Sequence, residues 1–378
     1  MRVLFVNANR SPAYGGVERW MTDAAVGLTA RGHTAVLLGR PGTAWLEAAR
    51  AAGVRVRGDV HGTWAQRVLR VRAAMCAERP DVVITKAKKA ARMAAWGRST
   101  GAGGRVAIFF GLTHELDAAR WLDRFTWRQV DAGIVVAHGA ARWYAERGIG
   151  PLEKLHVLWK GIDLAAFDAV AAGGADVRRS LALPPEAIAI GTVGRLAWQK
   201  GIDQLLDAVR LVRPRCPQAR FFVVGGGRDA PSIEEAVAAP DLAGTVRLLG
   251  QRDDVPAVLA AMDVVVQSSR REVMAQTTLE AMAASRAVVS TRTMGADEAV
   301  EDGTSGVLVP IEDPPALAQA ILELVADAGR RAALGREARR RIERHFTHAH
   351  MVDRCEAILA RIAAGTADAG MQARLGMV

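Results

Sequence analysis

The sequence predicts an α/β protein of two doubly wound, Rossmann-like domains that face a central cleft. A chain of 378 residues is too long for one ordinary domain and suits two. Short apolar runs alternate with amphipathic helical patterns almost from end to end, which is typical of βαβ units and parallel sheets. The alternation breaks once and then restarts. Such domain pairs usually bind a ligand at the carboxyl ends of their strands.

The first domain is expected over residues 1–165. Its first helix is predicted at about Val17 to Arg31, after a loop that contains glycine. The predicted strands are Val3–Asn7, Val36–Leu38, Asp81–Thr85, Val106–Phe110 and Gly133–Val136. Basic amphipathic helices separate several of them, and this order indicates a doubly wound sheet.

The second domain is expected over residues 176–344, after a turn-like segment at Trp159–Asp163 and small, flexible residues at Ala169–Ala175. Its strands are predicted at Ala187–Val193, Arg220–Val224, Thr245–Leu249, Asp263–Gln267 and Ala287–Ser290. From Pro315 to about Gly365 the pattern is wholly helical, and a helix at about 345–365 could pack back on the first domain. Residues 366–378 are expected to fray.

Composition indicates a globular protein, with half of the residues hydrophobic and a quarter charged. The net charge of +10 is uneven, because residues 1–170 hold 25 Lys or Arg against 14 Asp or Glu, whereas residues 171–378 hold 25 against 26. The excess is densest in the basic segment 55–105. An anionic membrane surface, an acidic substrate or nucleic acid could face it, and a merely solvated surface is the alternative.

The three cysteines, Cys76, Cys216 and Cys355, are far apart and predict neither a disulfide framework nor a zinc site. The first residues show no signal-peptide layout, and no apolar run approaches the ~20 residues that span a bilayer. We therefore expect a cytoplasmic protein that could dock peripherally on the inner face of a membrane.

Two cations in one loop predict an anion site in the second domain. Arg195 and Lys200 lie in a glycine-flanked loop between a strand and a helix, where backbone N–H groups and two positive charges suit a diphosphate. A rival signal is Gly225–Gly227, which begins a match to the dinucleotide fingerprint. It follows a middle strand of the domain and not the first one, so NAD(P) binding is disfavoured.

Two carboxylates flank a second expected anion site. Glu272 and Glu280 are eight residues apart, and the segment between them begins as a loop and becomes a helix. The backbone N–H groups around Met274–Thr277 would point out of the helix N-terminus and favour a phosphate. Carboxylates on both sides of a diphosphate suit a ligand with hydroxyls at both ends, which is a nucleotide sugar. The alternative is two acids on a solvated helix.

At this point the chain resembles the retaining glycosyltransferases of family 4 (GT4), which have the GT-B fold. The resemblance follows the family's order over about 300 residues. The segments that carry it are GGVER at 15–19, VGRLAWQKG, VVGGG, VRLLGQRDDVPAVLAAMDVVVQSS, the Glu272 and Glu280 pair, and ADEAVEDGTSGVLVP.

The resemblance implies a metal-independent transfer of sugar from a nucleotide sugar, most simply a UDP-sugar, to a glycan or glycolipid in cell-envelope or lipopolysaccharide synthesis. Arg195 and Lys200 would bind the donor diphosphate, Glu272 the hydroxyls of the transferred sugar and Glu280 the ribose. The remaining implied site residues are His114 at the donor sugar, Gly15 and Gly16 near the phosphate and acceptor, and Arg252, Met274, Ala275 and Gln276 in the donor site.

Some features depart from the family or favour other functions. Val273–Ala275 stands where the family commonly has Gly-Phe-Gly, so the donor-sugar pocket could be altered. A metal site at His345, His348, His350 and Cys355, or at His114, Glu115 and Asp117, is disfavoured, and no cofactor is expected. An epimerase or phosphorylase of the same fold is the nearer alternative. Nucleic-acid binding is disfavoured because aromatic residues are few, at 5%, and no RNA-binding or DNA-binding motif occurs.

Overall fold

A computed structural model describes residues 1–8, 15–110, 126–148, 150–170 and 173–366. The chain divides into two compact units: Met1–Gly161 with His348–Val378, called the N-terminal unit, and Ile162–Thr347, called the C-terminal unit. The sequence predicted domains at 1–165 and 176–344. Each unit is described by itself.

The N-terminal unit is built on a sheet of seven parallel strands in the order β3-β2-β1-β4-β5-β6-β7. The strands are β1 (Arg2–Val6), β2 (Thr34–Leu38), β3 (Arg55–Arg57), β4 (Val82–Lys86), β5 (Arg105–Phe110), β6 (Ala132–Val135) and β7 (Leu155–Val157). Strands β1 and β4 are apolar and almost wholly buried, because helices cover both faces of a parallel sheet.

Among the described residues, five helices of the N-terminal unit lie between these strands: α1 (Gly16–Ala30), α2 (Ala44–Ala51), α3 (Trp64–Glu78), α4 (Ala87–Gly97) and α5 (His138–Glu146). A short π-type segment, Arg98–Ala102, follows α4, and one turn of 3₁₀ helix, Leu152–Lys154, precedes β7. Helix α3 begins with a capping box, in which Thr63 and Gln66 each accept a backbone hydrogen bond from the other.

The C-terminal unit repeats this architecture with six parallel strands in the order β10-β9-β8-β11-β12-β13. The strands are β8 (Ile188–Val193), β9 (Ala219–Val224), β10 (Val246–Gly250), β11 (Val264–Gln267), β12 (Ala287–Thr291) and β13 (Val307–Val309). Its helices are α6 (Leu164–Asp168), α7 (Gly173–Ser180), α8 (Ile202–Val212), α9 (Ala230–Ala238), α10 (Val255–Ala260), α11 (Gln276–Ala283), α12 (Ala296–Ala299), α13 (Pro314–Ala326) and α14 (Ala328–His345). A 3₁₀ turn, Trp198–Lys200, precedes α8.

The last described helix, α15 (His348–Ala364), belongs to the N-terminal unit and packs on α1. A Cβ on Gly27 of α1 would lie 2.3 Å from a methyl of Val352, so the glycine permits the close approach. Arg31 also pairs with Asp353 and Glu356 of α15. In the described part of the chain, no helix is long and apolar enough to cross a membrane.

The sequence analysis was wrong about the segment Ala169–Ala175, which it interpreted as a flexible connection. Within its described part, Gly173 begins helix α7. A Cβ on Gly174 would lie 2.8 Å from the backbone of Ala260, at the end of α10, so the small residue allows two helices to touch. Fraying was predicted for residues 366–378, of which 367–378 lie outside the described residues.

Both sheets share one topological feature that positions a site. In each, the first strand lies between the second and the fourth, so the connections run in opposite directions from the gap between β1 and β4, and between β8 and β11. Ligands of doubly wound sheets bind outside the carboxyl ends of the strands at this switch point.

Candidate active site

The switch point of the C-terminal unit brings together two of the predicted site residues. Lys200 lies in the loop after β8, and Glu272 lies in the loop after β11. The Lys200 ammonium forms an ion pair with the Glu272 carboxylate, and the two side chains are only 16% and 12% exposed. The cation expected to bind a diphosphate and the acid expected to bind a sugar are therefore neighbours.

Backbone contacts hold these two loops against each other. Gly201 has a φ of +61°, and a Cβ there would lie 2.2 Å from the carbonyl oxygen of Ser268. Ser268 in turn donates its hydroxyl to the carbonyl of Lys200 at 3.2 Å. The backbone N–H of Arg270 donates to the carbonyl of Gln199 at 2.9 Å. Only glycine fits at position 201, because both the backbone conformation and the space exclude a side chain.

Arg195 lies in the same loop as Lys200 but differs from it in its contacts. Its side chain is exposed and makes no ion pair or hydrogen bond with any described residue. Lys200 instead passes beside the loop backbone, since a Cβ on Gly194 would lie 3.4 Å from Lys200 Cε. The loop thus presents one exposed guanidinium and one ammonium that a carboxylate holds in place.

The glycines at 225–227, which gave the partial match to the dinucleotide fingerprint, pack against this loop. A Cβ on Gly225 would lie 1.9 Å from the carbonyl oxygen of Gly194, and one on Gly227 would lie 2.3 Å from that of Leu196. The backbone N–H of Leu196 donates to the carbonyl of Gly226 at 2.9 Å. Glycine is therefore needed at 225 and 227 because the backbone there packs against the loop after β8.

Helix α11 begins beside the carboxyl end of β8. The hydroxyl of Thr277, in its first turn, is buried and donates to the carbonyl of Val193 at 3.0 Å. The three residues that precede the helix are Val273, Met274 and Ala275, and all three are buried. Gln276, the first residue of the helix, is half-buried. The hydroxyl of Thr278 is buried and makes no hydrogen bond with the described residues. The helix N-terminus is thus anchored by a side chain at the switch point, and Met274 and Ala275 contribute to packing.

Arg270 braces the loop that carries Glu272. Its side chain is 8% exposed and contacts Asp203 at 2.5 Å and Glu312 at 2.7 Å. The hydrogen bond between Arg270 and Asp203 raises the pKa of Arg270 and holds the pKa of the Asp203 carboxyl below its usual range. The Arg270 guanidinium also lies 5.2 Å from the ring centre of Trp198, which is 49% exposed. This loop is therefore fixed by charge as well as by backbone contacts.

The other predicted site residues lie on other elements. Arg252 follows β10 and makes a bidentate contact with Asp254, at 2.7 and 2.5 Å, which lowers the pKa of Asp254. Glu280 is half-buried in α11. Gly15 and Gly16 belong to the N-terminal unit, at the start of α1. His114, with Glu115 and Asp117, lies outside the described residues.

Sequence reasoning missed a second charged cluster, at the switch point of the N-terminal unit. Glu18, in the first turn of α1, accepts hydrogen bonds from Lys86 and, at 3.0 Å, from Asn7. Lys86 is the last residue of β4, and Asn7 follows β1. Two signals were available: Glu18 stands in the GGVER motif, and Lys86 directly follows the predicted strand Asp81–Thr85.

Part of the positive charge of the basic segment 55–105 is neutralised by ion pairs within the protein. Five of its cations form ion pairs with acids among the described residues: Arg55, Arg57, Lys86, Arg98 and Arg105. Trp64, Leu69 and Trp96, on α3 and α4, are exposed. The segment therefore offers apolar side chains and a reduced set of cations to solvent.

The disfavoured histidine and cysteine cluster is not assembled. Cys355 is fully buried, and burial raises the pKa of its thiol to about 12. His348 contacts the backbone carbonyl of Asp23 at 3.1 Å. Where the chain is described, no group of three or more His, Cys, Asp or Glu could hold a metal ion.

Comparison with known proteins gives matches to both units. Residues 14–166 match the family model described as Glycosyltransferase Family 4, and residues 187–327 match Glycosyl transferases group 1. The lipopolysaccharide core biosynthesis glycosyltransferase LpsE of Rhizobium meliloti is 26% identical over 349 residues, covering 92% of this chain and 96% of LpsE. The D-inositol 3-phosphate glycosyltransferase of Salinispora tropica is 36% identical over 202 residues, covering 50% of this chain and 42% of that protein.

Solved structures give the same answer for the fold. The Anabaena protein HepE, crystallised with UDP and glucose, has a TM-score of 0.81 at 22% identity, over 95% of this chain and 99% of HepE. WaaG, a glycosyltransferase involved in lipopolysaccharide biosynthesis, has a TM-score of 0.70 at 16% identity, over 94% of this chain and 99% of WaaG. Family models over both units and these likenesses in fold agree with the motif order, and the chain belongs to family 4 of the glycosyltransferases, with the GT-B fold.

Proposed function

We propose that this chain transfers a sugar from a nucleoside diphosphate sugar, most simply a UDP-sugar, to a glycan or glycolipid acceptor, with retention of anomeric configuration and without a metal ion. The observation that carries the proposal is the set Arg195, Lys200 and Glu272 at the carboxyl edge of one sheet. Family membership gives the reaction class.

The charge of the site suits a diphosphate. Arg195 is exposed, and Lys200 offers three N–H groups, of which one meets Glu272. The N-terminus of α11, anchored to β8 through Thr277, adds backbone N–H groups and the positive end of a helix dipole. A diphosphate bound here would receive charge from side chains and backbone together, in a role that a metal ion fills in other enzymes.

The chemistry requires departure of a nucleoside diphosphate from a sugar that gains positive character. Negative charge develops on the leaving phosphate, so Arg195 and Lys200 would stabilise the transition state more than the ground state. Glu272, beside Lys200, would accept hydrogen bonds from the hydroxyls of the transferred sugar. Glu280 would bind the ribose, and Gln276 lies at the start of the same helix.

Relatives indicate the acceptor class. LpsE is named for lipopolysaccharide core biosynthesis, and the Salinispora protein is named for D-inositol 3-phosphate. An acceptor from the cell envelope, a glycan or a glycolipid, is the simplest choice for a chain that matches LpsE over nearly its whole length.

The donor site is tested by Arg195→Ala. We expect transfer and donor hydrolysis to fall by ~10²–10³, because removing one such electrostatic donor typically costs this much. Arg215→Ala is the matched control, since Arg215 is also exposed but precedes β9 at the amino end of the sheet. Near-normal turnover in Arg195→Ala would remove the diphosphate assignment.

The donor itself is identified by thermal shift with UDP-, GDP- and ADP-sugars, because a ligand of the folded state raises the melting temperature with concentration. Activity should survive exhaustive treatment with EDTA, and proton NMR of the product should show the anomeric configuration of the donor. Loss of activity that Mg²⁺ or Mn²⁺ restores would overturn metal independence, and an inverted product would overturn retention.

We also propose that helices α3 and α4 contact an anionic membrane surface. Their exposed Trp64, Leu69 and Trp96 could enter the interface while nearby arginines and lysines meet lipid phosphates. The protein should bind vesicles with anionic lipid at low salt and leave them at high salt. Equal binding to neutral and anionic vesicles would contradict this.

A further inference from the structure

The N-terminal unit contains a buried carboxylate for which the donor reaction has no use. Glu18 is 5% exposed, and its Oε1 accepts hydrogen bonds from Lys86 Nζ and Asn7 Nδ2. A Cβ on Gly15 would lie 3.5 Å from Glu18 Oε2, so the N-cap residue of α1 lies beside the same carboxylate. Glu18 therefore links the start of α1 to the carboxyl ends of β1 and β4.

This cluster occupies the same place in its sheet as the donor pair does in the other. In the C-terminal unit, Lys200 follows the first strand and Glu272 follows the fourth. In the N-terminal unit the order is reversed, with Glu18 after the first strand and Lys86 at the end of the fourth. Each switch point thus holds one lysine against one glutamate.

Stability alone does not explain the Glu18 and Lys86 pair. Removing two charges from water costs about as much as their attraction returns, so buried ion pairs often contribute little net stability. Lys86 remains 21% exposed, and its ammonium has three N–H groups, of which one meets an acceptor in the described part of the chain. The remaining donors are available to a ligand.

The surroundings of Lys86 favour an anion. Lys86 is the N-cap of α4, which has no side-chain cap and no acid in its first turn, and Lys88 and Lys89 occupy that turn instead. Acids are the usual residues at this position because they complement the helix dipole. Arg67 also reaches the end of β1, where it donates to the carbonyl of Ala8 at 3.3 Å.

We propose that Lys86 binds a phosphate group of the acceptor and that Glu18 is a positioning residue, which holds the ammonium in place without touching the substrate. Protein kinases use a lysine held by a glutamate in this way to bind phosphates. The proposal rests on the proposed function, because Arg195 and Lys200 are assigned to the donor diphosphate and leave Lys86 for the acceptor. It narrows the acceptor to molecules that carry a phosphate monoester.

The lysine content of the chain permits a direct test. Only six lysines occur, at 86, 88, 89, 154, 160 and 200, so ¹³C-labelled lysine gives few NMR signals from the full chain. Lys86→Gln and Lys200→Gln assign the two signals of interest. Protein saturated with UDP is titrated with glycerol 3-phosphate, with glycerol as the uncharged control, and separately with bicelles that contain phosphatidic acid.

We expect the Lys86 signal to shift saturably with glycerol 3-phosphate or with phosphatidic acid, and not with glycerol. A response to the soluble ester indicates a free phosphorylated acceptor, and a response to bicelles alone indicates a lipid headgroup. No shift of Lys86 with either probe, or equal linear shifts of all exposed lysines, would overturn the proposal. The Lys200 signal responds to UDP independently, so failure of the donor assignment is seen separately.

The positioning role is tested by Glu18→Gln. Glutamine keeps an oxygen that can accept from Lys86 but carries no charge, so the hydrogen bond is weaker and we expect the affinity for the phosphate probe to fall about tenfold. Lys86→Arg should retain part of the affinity that Lys86→Gln loses. Glu47→Gln is the matched control, because Glu47 also lies in the first turn of a helix but is exposed. Equal or tighter binding by a folded Glu18→Gln protein would contradict positioning, since the variant gains net positive charge.

Discussion

The two sheets of this glycosyltransferase place a lysine and a glutamate at the same topological point but fix them differently. In the C-terminal unit both charges lie in loops, and Gly201, Ser268 and Arg270 hold these loops together. In the N-terminal unit the acid lies in a helix and the cation ends a strand. The donor pair therefore depends on loop packing, whereas the second pair is held by regular structure.

Charge is also uneven along the chain. The first 170 residues carry a large excess of Lys and Arg, and the remainder is nearly neutral. The donor residues lie in the nearly neutral part, so donor binding does not account for the excess. Within segment 55–105, Lys86 ends β4 at the switch point of the N-terminal unit, paired with Glu18, and Lys88 and Lys89 follow it in the first turn of α4.

The largest expected effect is on kcat and follows substitution of the donor pair, Lys200 and Glu272. Lys200→Ala should lower kcat by ~10²–10³, because the leaving diphosphate loses one fixed cation. Glu272→Gln should lower kcat as well, since Lys200 loses its charged partner and the sugar loses one of two acceptor oxygens. UDP release is the measurement, and Arg215→Ala is the control. Normal turnover by Lys200→Ala would contradict the assignment of Lys200 and Glu272 to the donor.

A smaller effect tests whether loop packing holds the donor pair. Gly201→Ala should destabilise the C-terminal unit by about 1–3 kcal/mol, because a Cβ would meet the carbonyl oxygen of Ser268 at 2.2 Å. Gly244→Ala is the control, since Gly244 also has a positive φ, +75°, but has nothing within 4 Å. Calorimetry should show a lower melting temperature for Gly201→Ala than for Gly244→Ala. Equal values would show that the close approach is unimportant.

The brace between Arg270 and Asp203 should appear in the pH dependence of stability. The pKa of Asp203 is lower in the folded state than in the unfolded chain, so its contribution is complete above the ordinary value of ~3.9 and is lost as the pH falls through the folded-state pKa. The melting temperature of Asp203→Asn should therefore be lower than that of the parent protein at neutral pH. The difference between the two melting temperatures should disappear at acidic pH. The effect is small because Asp203 is 60% exposed.

Asp253→Asn is the control for this prediction, since Asp253 is exposed and forms no ion pair with the described residues. A gap between the parent and Asp203→Asn that stays constant from neutral to acidic pH would contradict the role of the charge.

The smallest effect concerns the thiols. Cys76 is exposed, whereas Cys216 and Cys355 are buried and burial raises their pKa values. A thiol reagent should modify Cys76 in the native protein and all three cysteines after unfolding. Rapid native labelling of Cys355, which lies in α15, would show that this helix does not pack stably on the N-terminal unit.

Much of the fold could be predicted from the sequence, because long buried strands such as β1 and β8 form apolar runs between helical patterns. The three-residue strands β3, β7 and β13 were not predicted, since so short a segment has no measurable period. Glycines were the other difficulty. Gly174 and Gly225 suggest flexibility or cofactor binding in the sequence, but in the structure they allow backbone contacts.

The candidate site was predictable where residues follow strands. Lys200 and Glu272 were each expected at the carboxyl edge, and the parallel order of β8 and β11 brings them together. Glu18 and Lys86 are 68 residues apart, and only the adjacency of β1 and β4 makes them neighbours. Strand order is a property of the whole sheet, so the local pattern around either residue could not reveal the pair.

The most direct test of the central claim, that the C-terminal pair binds the donor and the N-terminal pair does not, is the affinity for UDP. Isothermal titration of the parent, Lys200→Ala and Lys86→Ala proteins compares the two lysines under one condition. UDP binding should weaken at least about tenfold in Lys200→Ala, through loss of a charge-assisted hydrogen bond, and stay unchanged in Lys86→Ala. Unchanged binding in Lys200→Ala, or a comparable loss in Lys86→Ala, would contradict this division of roles.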